Sequence, residues 1–326
     1  MKSKSTEPKT LQTAILYFAD PDNCLKRMVA LRWPTGVVCP TCGRDDVTFL
    51  QRIRKWQCKS SHDHRQFSAK VGTIFEDSPI GLDKWLTAIW MIANCKNGVS
   101  SYEIARALGV TQKTAWFMLH RIRLAMQSGF FGGKLGGGGK QVEVDETFIG
   151  AKARNVHVHK RPQKIGTANK AMIVGVLERG GKVRASVVRD RSRDQIQEIV
   201  QEHVTPATQV FTDKLLSYKG LEKDFAHEVI DHAEGYVRGQ VHTNGLENFW
   251  SLLKRGLHGT YVSVEPFHLF RYLDEQVFRY NNRKTKKHDI DDAQRFDMAL
   301  ANIVGRRLTY AELTGKVGPT QSPATA

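Results

Sequence analysis

Apolar residues recur at helical spacing over residues 11–33 (LQTAILYFADPDNCLKRMVALRW), with a break at Asp20-Pro21. Residues 82–126 read as three further helices. A different period begins at residue 141, where QVEVDETFIG alternates apolar and polar positions as a half-buried strand does. AMIVGVLERGGKVRASVVRD predicts two strands joined by a Gly-Gly hairpin turn. A helix over 193–204, a strand over TQVFTD and a short strand over HEVID follow, and the chain is then mostly helical to about residue 283. The pattern contains no internal repeat. The polar start and the low-complexity end (TGKVGPTQSPATA) are expected to fray.

The period changes across GFFGGKLGGGGK, residues 129–140, which holds seven glycines in twelve residues and reads as a flexible linker. The expected organisation is a helical arm over 1–36, a cysteine-rich module over 37–75, a helical region over 80–128, the linker, a strand-rich domain over 141–285, and a partly disordered C-terminal extension over 286–326. A chain of 326 residues is too long for one ordinary domain.

Composition narrows the partner. Hydrophobic residues make up 40% and charged residues 25%, enough to bury cores. Lys and Arg number 49 against 33 Asp and Glu, for a formal charge of +16 and a pI near 9.7. That balance favours a polyanion, nucleic acid first. No apolar run approaches the roughly 20 residues that cross a bilayer, and the N-terminus lacks the apolar stretch of a secretory signal. These features argue against secretion and membrane insertion and for a cytoplasmic location. Five cysteines in such a chain suit metal binding better than a disulfide framework.

Cys39-Pro-Thr-Cys42 places two thiols at i and i+3 on one turn, and Gly43 suits that turn. Cys58 opens a second knuckle, followed by His62 and His64. Zn²⁺ takes four S and N donors in a tetrahedron, so three cysteines and one histidine would complete a structural site. The spacing resembles a zinc ribbon. Position 61, where a fourth cysteine would stand, is Ser61, so His62 or His64 must substitute, with His62 the first choice. Cys24 and Cys95 lie in apolar helical contexts and are expected to be core residues.

SSYEIARALGVTQKTAWFMLHRIRLAM reads as two helices around a glycine turn. Ser100 and Glu103 have capping-box spacing. Ile104, Ala105 and Leu108 face inward, Gly109 permits the turn and Thr111 caps the second helix. Ala115, Met118, Leu119 and Ile122 form its apolar face. Gln112, Lys113, Thr114, Arg121 and Arg123 fall outward, which suits a helix-turn-helix in the major groove of DNA; an ordinary helical hairpin with a basic face would show the same pattern.

Three acids stand out in the second half. In Val-Glu-Val-Asp-Glu, a strand puts Glu143 and Asp145 on one face and Val142 and Val144 on the other. Asp213 ends the run Val210-Phe211-Thr212, at the strand end where α/β sites open. Glu247 flanks the stripe Leu246, Trp250, Leu253 and Leu257 at the opening of a helix, with Lys254 two turns on. Singly, these could be a strand residue, a helix cap and a solvated acid. Together, three carboxylates from two strands and a helix can hold two Mg²⁺ ions about 4 Å apart, with Mn²⁺ as a substitute.

VEVDETFIG, VFTDKLLSY and HTNGLENFWSLLKRGLHGTY resemble the catalytic blocks of IS1595-group, ISXO2-like insertion-sequence transposases. RWPTGVVCPTCG, QFSAKVGTIFEDS and FRYLDEQVFRYNNR extend the resemblance over roughly residues 15–285. The resemblance implies a multidomain α/β chain: an N-terminal zinc ribbon and helix-turn-helix followed by a ribonuclease-H-like catalytic domain with a DDE triad. The matching positions are Asp145, Asp213 and Glu247, and Lys254 matches the basic residue after the Glu. Asn244 could also reach the metal site, although nothing in the spacing requires it.

KARNVHVHKRPQKIGTANK reads as a basic insertion that either clamps phosphates through Lys152, Arg154, Lys160 and Arg161 or is a solvated loop. His157 and His159 lack the companions of a second metal site. Phe267, Phe270, Leu273, Val277 and Tyr280 predict a core stripe, with Arg271, Arg279 and Arg283 free to face DNA. The expected activity is that of a DNA transposase. It would bind terminal inverted repeats on double-stranded DNA, cleave strands at the element ends and join the 3′-hydroxyls to target DNA by Mg²⁺-dependent transesterification. A homodimer or higher oligomer on the bacterial nucleoid is expected. The rivals are a structure-specific nuclease and a DNA-binding regulator; a regulator has no need of the three acids.

Overall fold

A computed structural model describes residues 7–127, 133–150, 170–230, 243–286 and 288–317. The chain divides into two compact units, one of residues 1–127 and 284–326 and one of residues 128–283.

The first unit opens on helices α1 (Leu11–Phe18) and α2 (Pro21–Arg32). The break between them is a cap. Asp20 accepts the Asp22 amide at 2.9 Å, and Pro21 takes the first helical position, where a missing N–H costs no bond. An antiparallel sheet follows, β1 (Val47–Leu50), β2 (Lys55–Cys58) and β3 (Gln66–Phe67), with β2 in the middle. Its aromatic centre is Trp56, 5.4 Å from Trp33 and stacked 5.9 Å from Phe67 between ring centroids. Helix α3 (Leu82–Asn94) is buried almost all round, as its run of Trp85, Leu86, Ile89, Trp90 and Ile92 requires.

Helices α4 (Ser101–Leu108) and α5 (Gln112–Met126) form a hairpin. The capping box is made: the Ser100 amide donates to Glu103 Oε2 at 2.7 Å and the Glu103 amide to Ser100 Oγ at 3.2 Å. Gly109 ends α4 in the left-handed region at φ 60°. Ala115, Met118, Leu119 and Ile122 are buried, matching the expected stripe.

The second unit is a five-stranded sheet between helices. The strands are β4 (Gln141–Ile149), β5 (Ala171–Glu178), β6 (Val183–Val188), β7 (Gln209–Asp213) and β8 (Ala226–Ile230). Their spatial order is β6-β5-β4-β7-β8. β4, β5 and β6 pair antiparallel, and β4–β7 and β7–β8 pair parallel. Helix α6 (Arg193–His203) covers one face, where Val142, Val144, Val174 and Val176 meet Ile196 and Val200. Helices α7 (Asn244–Arg255) and α8 (Leu269–Asn281) cover the other, where Ile173 and Leu177 meet Leu246, Trp250, Leu253 and Leu273. The two-residue alternation of β4 therefore sends valines to α6 and Glu143 and Asp145 to the α7 side.

Three expectations are corrected. Residues 133–140 are not a free linker: the Leu135 side chain joins the core under α6, and its amide donates to His203 O at 2.7 Å. Gly136 lets the backbone lie close. A Cβ at Gly136, where φ is 83°, would stand 2.4 Å from Thr208 Cγ2. Second, Phe267 and Phe270 are 60% and 40% exposed, because α8 starts only at Leu269 and turns Leu269, Tyr272, Leu273 and Val277 inward. Third, the segment set aside as a C-terminal extension contributes helix α9 (Asp292–Ala301) and the short α10 (Tyr310–Leu313) to the first unit. Phe296 of α9 sits 5.6 Å from Phe18 and 5.2 Å from Trp90 between ring centroids. Among the described residues, no helix is long and apolar enough to cross a membrane.

Candidate active site

The cysteine cluster is built by two turns. The Gly43 amide donates to Cys39 O at 2.8 Å, and Gly43 adopts φ 73°, so the Cys39–Cys42 turn closes on itself. Cys58 ends β2, antiparallel to β1. Donor atoms of Cys39, Cys42, Cys58 and His62 all lie within 4.8 Å of one another. His62 Nδ1 lies 2.6 Å from Asp63 O and Nε2 lies 3.5 Å from Cys39 Sγ. A proton held on Nδ1 by that carbonyl leaves the Nε2 lone pair for a metal. His64 is exposed, has φ 59° and lies outside the group.

The second group is acidic. Carboxylate oxygens of Asp145, Glu146 and Asp213 lie within 4.8 Å of one another. Sheet register explains why neighbours in sequence converge. The parallel β4–β7 ladder pairs Glu143 with Phe211 as its last rung, so Asp145 and Glu146 lie beyond it, alongside Asp213 at the end of β7. Each acid is held by its own partner. Trp250 Nε1 donates to Asp145 Oδ2 at 2.9 Å, the Tyr218 hydroxyl to Glu146 Oε2 at 2.9 Å, and the Leu215 amide to Asp213 Oδ1 at 3.1 Å.

Burial and crowding leave Asp145 and Glu146 reluctant to ionise. Burial pushes the Asp145 carboxyl up to about 6; the charges of Asp213 and Glu247 add to the rise, and the Trp250 hydrogen bond opposes it. Burial also pushes Glu146 up to about 7, reinforced by Asp213 and Asp145 and opposed by Tyr218 and Arg191. A divalent cation would relieve both, and carboxylate oxygens are the donors that hard cations take.

Of the expected triad, Asp145 and Asp213 are brought together. Glu247 lies in the exposed first turn of α7, outside the close group but near enough to act on Asp145. Lys254 and Asn244 are exposed on α7. Glu146 was missed, because strict alternation assigns it to the opposite face of β4. Glu143 was missed as a tether: it is 1% exposed and accepts the Leu246 amide at 3.1 Å and Arg179 Nε at 2.9 Å.

The expected DNA contacts divide. Gln112 Nε2 donates to Ser101 Oγ at 2.9 Å, the exposed Lys113 ammonium lies 4.8 Å from the Tyr310 ring centroid, and Thr114 Oγ1 lies 2.8 Å from Thr111 Oγ1. Arg121 is not an outward residue. It is 5% exposed, and its guanidinium donates to Ile74 O, Glu76 O and Leu308 O at 3.0, 2.7 and 3.0 Å. Arg123 and Arg279 are likewise buried. The C-terminal residues that help to cover Arg121 are invisible to a local helical pattern. Arg271 is partly buried and pairs with Asp274 at 3.2 Å. Lys152, Arg154, Lys160 and Arg161 lie outside the described residues, as do His157 and His159.

Two family models match the chain. A transposase zinc-ribbon domain matches residues 19–64, and an ISXO2-like transposase domain matches residues 134–281. A Haemophilus influenzae protein described as an uncharacterized transposase-like protein is 32% identical over 106 residues, 32% of this chain and 85% of that one. The chain belongs to the ISXO2-like transposase family of the IS1595 group. A second relative of this family member, described as an uncharacterized protein in transposable element ISH50 of Halobacterium salinarum, is 26% identical over 287 residues, 82% of this chain and 94% of that one. Within the transposase domain lie Asp145, Glu146, Asp213, Glu247 and Lys254. The zinc-ribbon match contains Cys39, Cys42, Cys58 and His62 and ends on His64.

Proposed function

We propose that this family member binds the terminal inverted repeats of its element, cleaves a DNA strand at each end and joins the freed 3′-hydroxyl to target DNA by transesterification. The observation that carries the reading is the convergence of Asp145, Glu146 and Asp213 where the parallel β4–β7 ladder ends. The mixed sheet with helices on both faces supports a ribonuclease-H-like catalytic domain over 141–285. The capped, glycine-linked α4–α5 pair supports a helix-turn-helix within 80–128, following a ribbon over 37–75.

Asp145, Glu146 and Asp213, joined by Glu247 from α7, are the residues to hold Mg²⁺ ions, two in number and replaceable by Mn²⁺. Such ions, when bound, lower the pKa of a water or 3′-hydroxyl and stabilise charge on the leaving oxygen. The chain's own contribution is to hold the carboxylates in place: Trp250 orients Asp145, Tyr218 orients Glu146 and the Leu215 amide orients Asp213. Lys254, exposed on α7, would meet a phosphate near the scissile bond. Cys39, Cys42, Cys58 and His62 are the set to hold one structural Zn²⁺. Gln112, Lys113 and Thr114 at the start of α5, with the basic segment carrying Lys152, Arg154, Lys160 and Arg161, would supply DNA contacts. Bringing two element ends together calls for a dimer or larger assembly on the nucleoid.

The test is a supercoiled donor plasmid carrying the element ends, incubated with protein and Mg²⁺. Strand-transfer products are expected. Nicks alone would indicate a structure-specific nuclease, and unchanged plasmid a DNA-binding regulator.

A further inference from the structure

Trp250 stands in the second turn of α7 with 4% of its surface exposed. Its indole N–H must find an acceptor when buried, and the acceptor is the Asp145 carboxylate, with Nε1 2.9 Å from Oδ2. The indole reaches that oxygen through a recess in the sheet. Gly175 lies directly opposite Asp145 in the β4–β5 ladder. A Cβ there would stand 2.7 Å from both Cη2 and Cζ2 of Trp250 and 2.9 Å from Leu246 Cδ2. Gly175 is not among the residues of positive φ, so its backbone does not demand glycine. A glycine in the middle of a strand forfeits side-chain packing and marks a close approach. Here the close approach is that of the indole.

We infer that Trp250 is a positioning residue of the cation site. Its indole N–H holds the Asp145 carboxylate in the orientation that brings it together with Asp213 and Glu146, and Gly175 keeps open the recess through which the indole arrives. The inference rests on the reading that these carboxylates bind a divalent cation. Its consequence is that α7, which also carries Glu247 and Lys254, is fastened to the cation site by a side chain that takes no part in the chemistry. Displacement of α7 would therefore disturb Asp145 as well as Glu247.

The test uses the full chain and Mn²⁺ alone, with affinity read by calorimetry and folding by thermal denaturation. Trp250→Phe keeps an aromatic ring in the recess and removes the N–H. Leu253→Ala, a buried residue on the same helix, is the control for packing loss. Trp250→Phe is expected to weaken Mn²⁺ binding on the order of tenfold, the range of one charge-assisted hydrogen bond. Leu253→Ala should lower the melting temperature and leave the affinity within about twofold. Gly175→Ala should weaken binding as Trp250→Phe does, and the double variant no further than either single one. Parental affinity in Trp250→Phe, equal losses in Leu253→Ala, or additive losses in the double variant would each overturn the inference. Parental Mn²⁺ affinity in Asp213→Asn would overturn the cation-site reading itself and the inference with it.

Discussion

Glu143 and Leu246, 103 residues apart in sequence, are joined by a hydrogen bond of 3.1 Å from the Leu246 amide at the start of α7 to the buried Glu143 carboxylate. An acid at a helix N-terminus meets free N–H groups and the positive end of the helix dipole. Gly245 makes the approach possible, since a Cβ there would stand 2.7 Å from Glu143 Oε2. Glu143 also pairs with Arg179 at 2.9 Å. Glu143→Ala removes one partner of a buried pair and leaves the Leu246 amide without this acceptor, so it should destabilise the protein by about 2–4 kcal/mol. Glu143→Gln retains an acceptor and should cost less. Urea denaturation of both variants checks the order; equal costs would mean that packing alone matters at this position.

Removing a carboxylate charge from the proposed site should stop the chemistry and leave the fold. Asp145→Asn, Asp213→Asn, Glu247→Gln and Glu146→Gln preserve shape and remove the charge that a hard cation needs. Each should lose Mg²⁺-dependent plasmid cleavage by at least about a hundredfold, equivalent to roughly 2.7 kcal/mol of barrier, with binding to element-end DNA unchanged. Cleavage at the parental rate would remove that residue from the site. Glu146 is the sharpest case, because the close group contains it and not Glu247.

The raised acids also set a pH dependence of stability. A carboxyl whose folded pKa lies above its unfolded value binds more protons when folded, so stability falls as pH rises through the window between the two. For Asp145 that window runs from 3.8 to about 6. The cost is absent below it and full above it. Asp145→Asn deletes the cost and keeps an oxygen to accept from Trp250. Without divalent cations, it should be more stable than the parent at pH 8 by about 1–2 kcal/mol, a figure reduced for partial exposure, and no more stable at pH 3.5. Mg²⁺ should narrow the gap at pH 8. A stability difference that does not change with pH would show that Asp145 is not strained by its surroundings.

Much of this site was legible in the chain. Alternation in VEVDETFIG put Glu143 and Asp145 on one face, and the i, i+4, i+7 spacing of Leu246, Trp250 and Leu253 gave the buried side of α7. Those signals are local, and packing obeys them. What escaped depends on where other chain segments end. Glu146 joins Asp145 because β7 stops at Asp213. Arg121 is buried because the carbonyls of Ile74, Glu76 and Leu308, far away in sequence, converge on it. The seven glycines over 129–140 suggested freedom. Leu135 carries enough apolar surface to seat the described residues around it against the sheet, and Gly136 there serves a close approach to Thr208.

The ribbon offers a clean choice between two histidines. His62 is grouped with the cysteines, whereas His64 is outside the group. His62→Ala should lower bound zinc from about one per chain to well below half and destabilise the ribbon, because a structural zinc site contributes folding energy directly. His64→Ala should retain the metal. Elemental analysis of both purified variants decides it, and loss of zinc from His64→Ala alone would reverse the assignment.

Lys254 is the test of how the helix meets its substrate. It follows Glu247 by seven residues, two helical turns or about 10 Å along the axis, and both side chains are exposed. Leu246, Trp250 and Leu253 hold the adjoining face of the helix in the core, so the flank of α7 that carries Glu247 and Lys254 is held firmly rather than free to adapt. An ammonium on such a surface can meet a phosphate beside the scissile bond as a point charge. Loss of one such contact should slow joining of pre-cleaved ends by roughly 1–3 kcal/mol in Lys254→Ala. Lys254→Arg should recover part of the rate, since its longer planar head supplies charge with altered geometry. Stability should not change in either variant, because the side chain is solvated in the free protein. Identical joining rates in the parent and both variants would make Lys254 surface charge and leave the chemistry to the carboxylates.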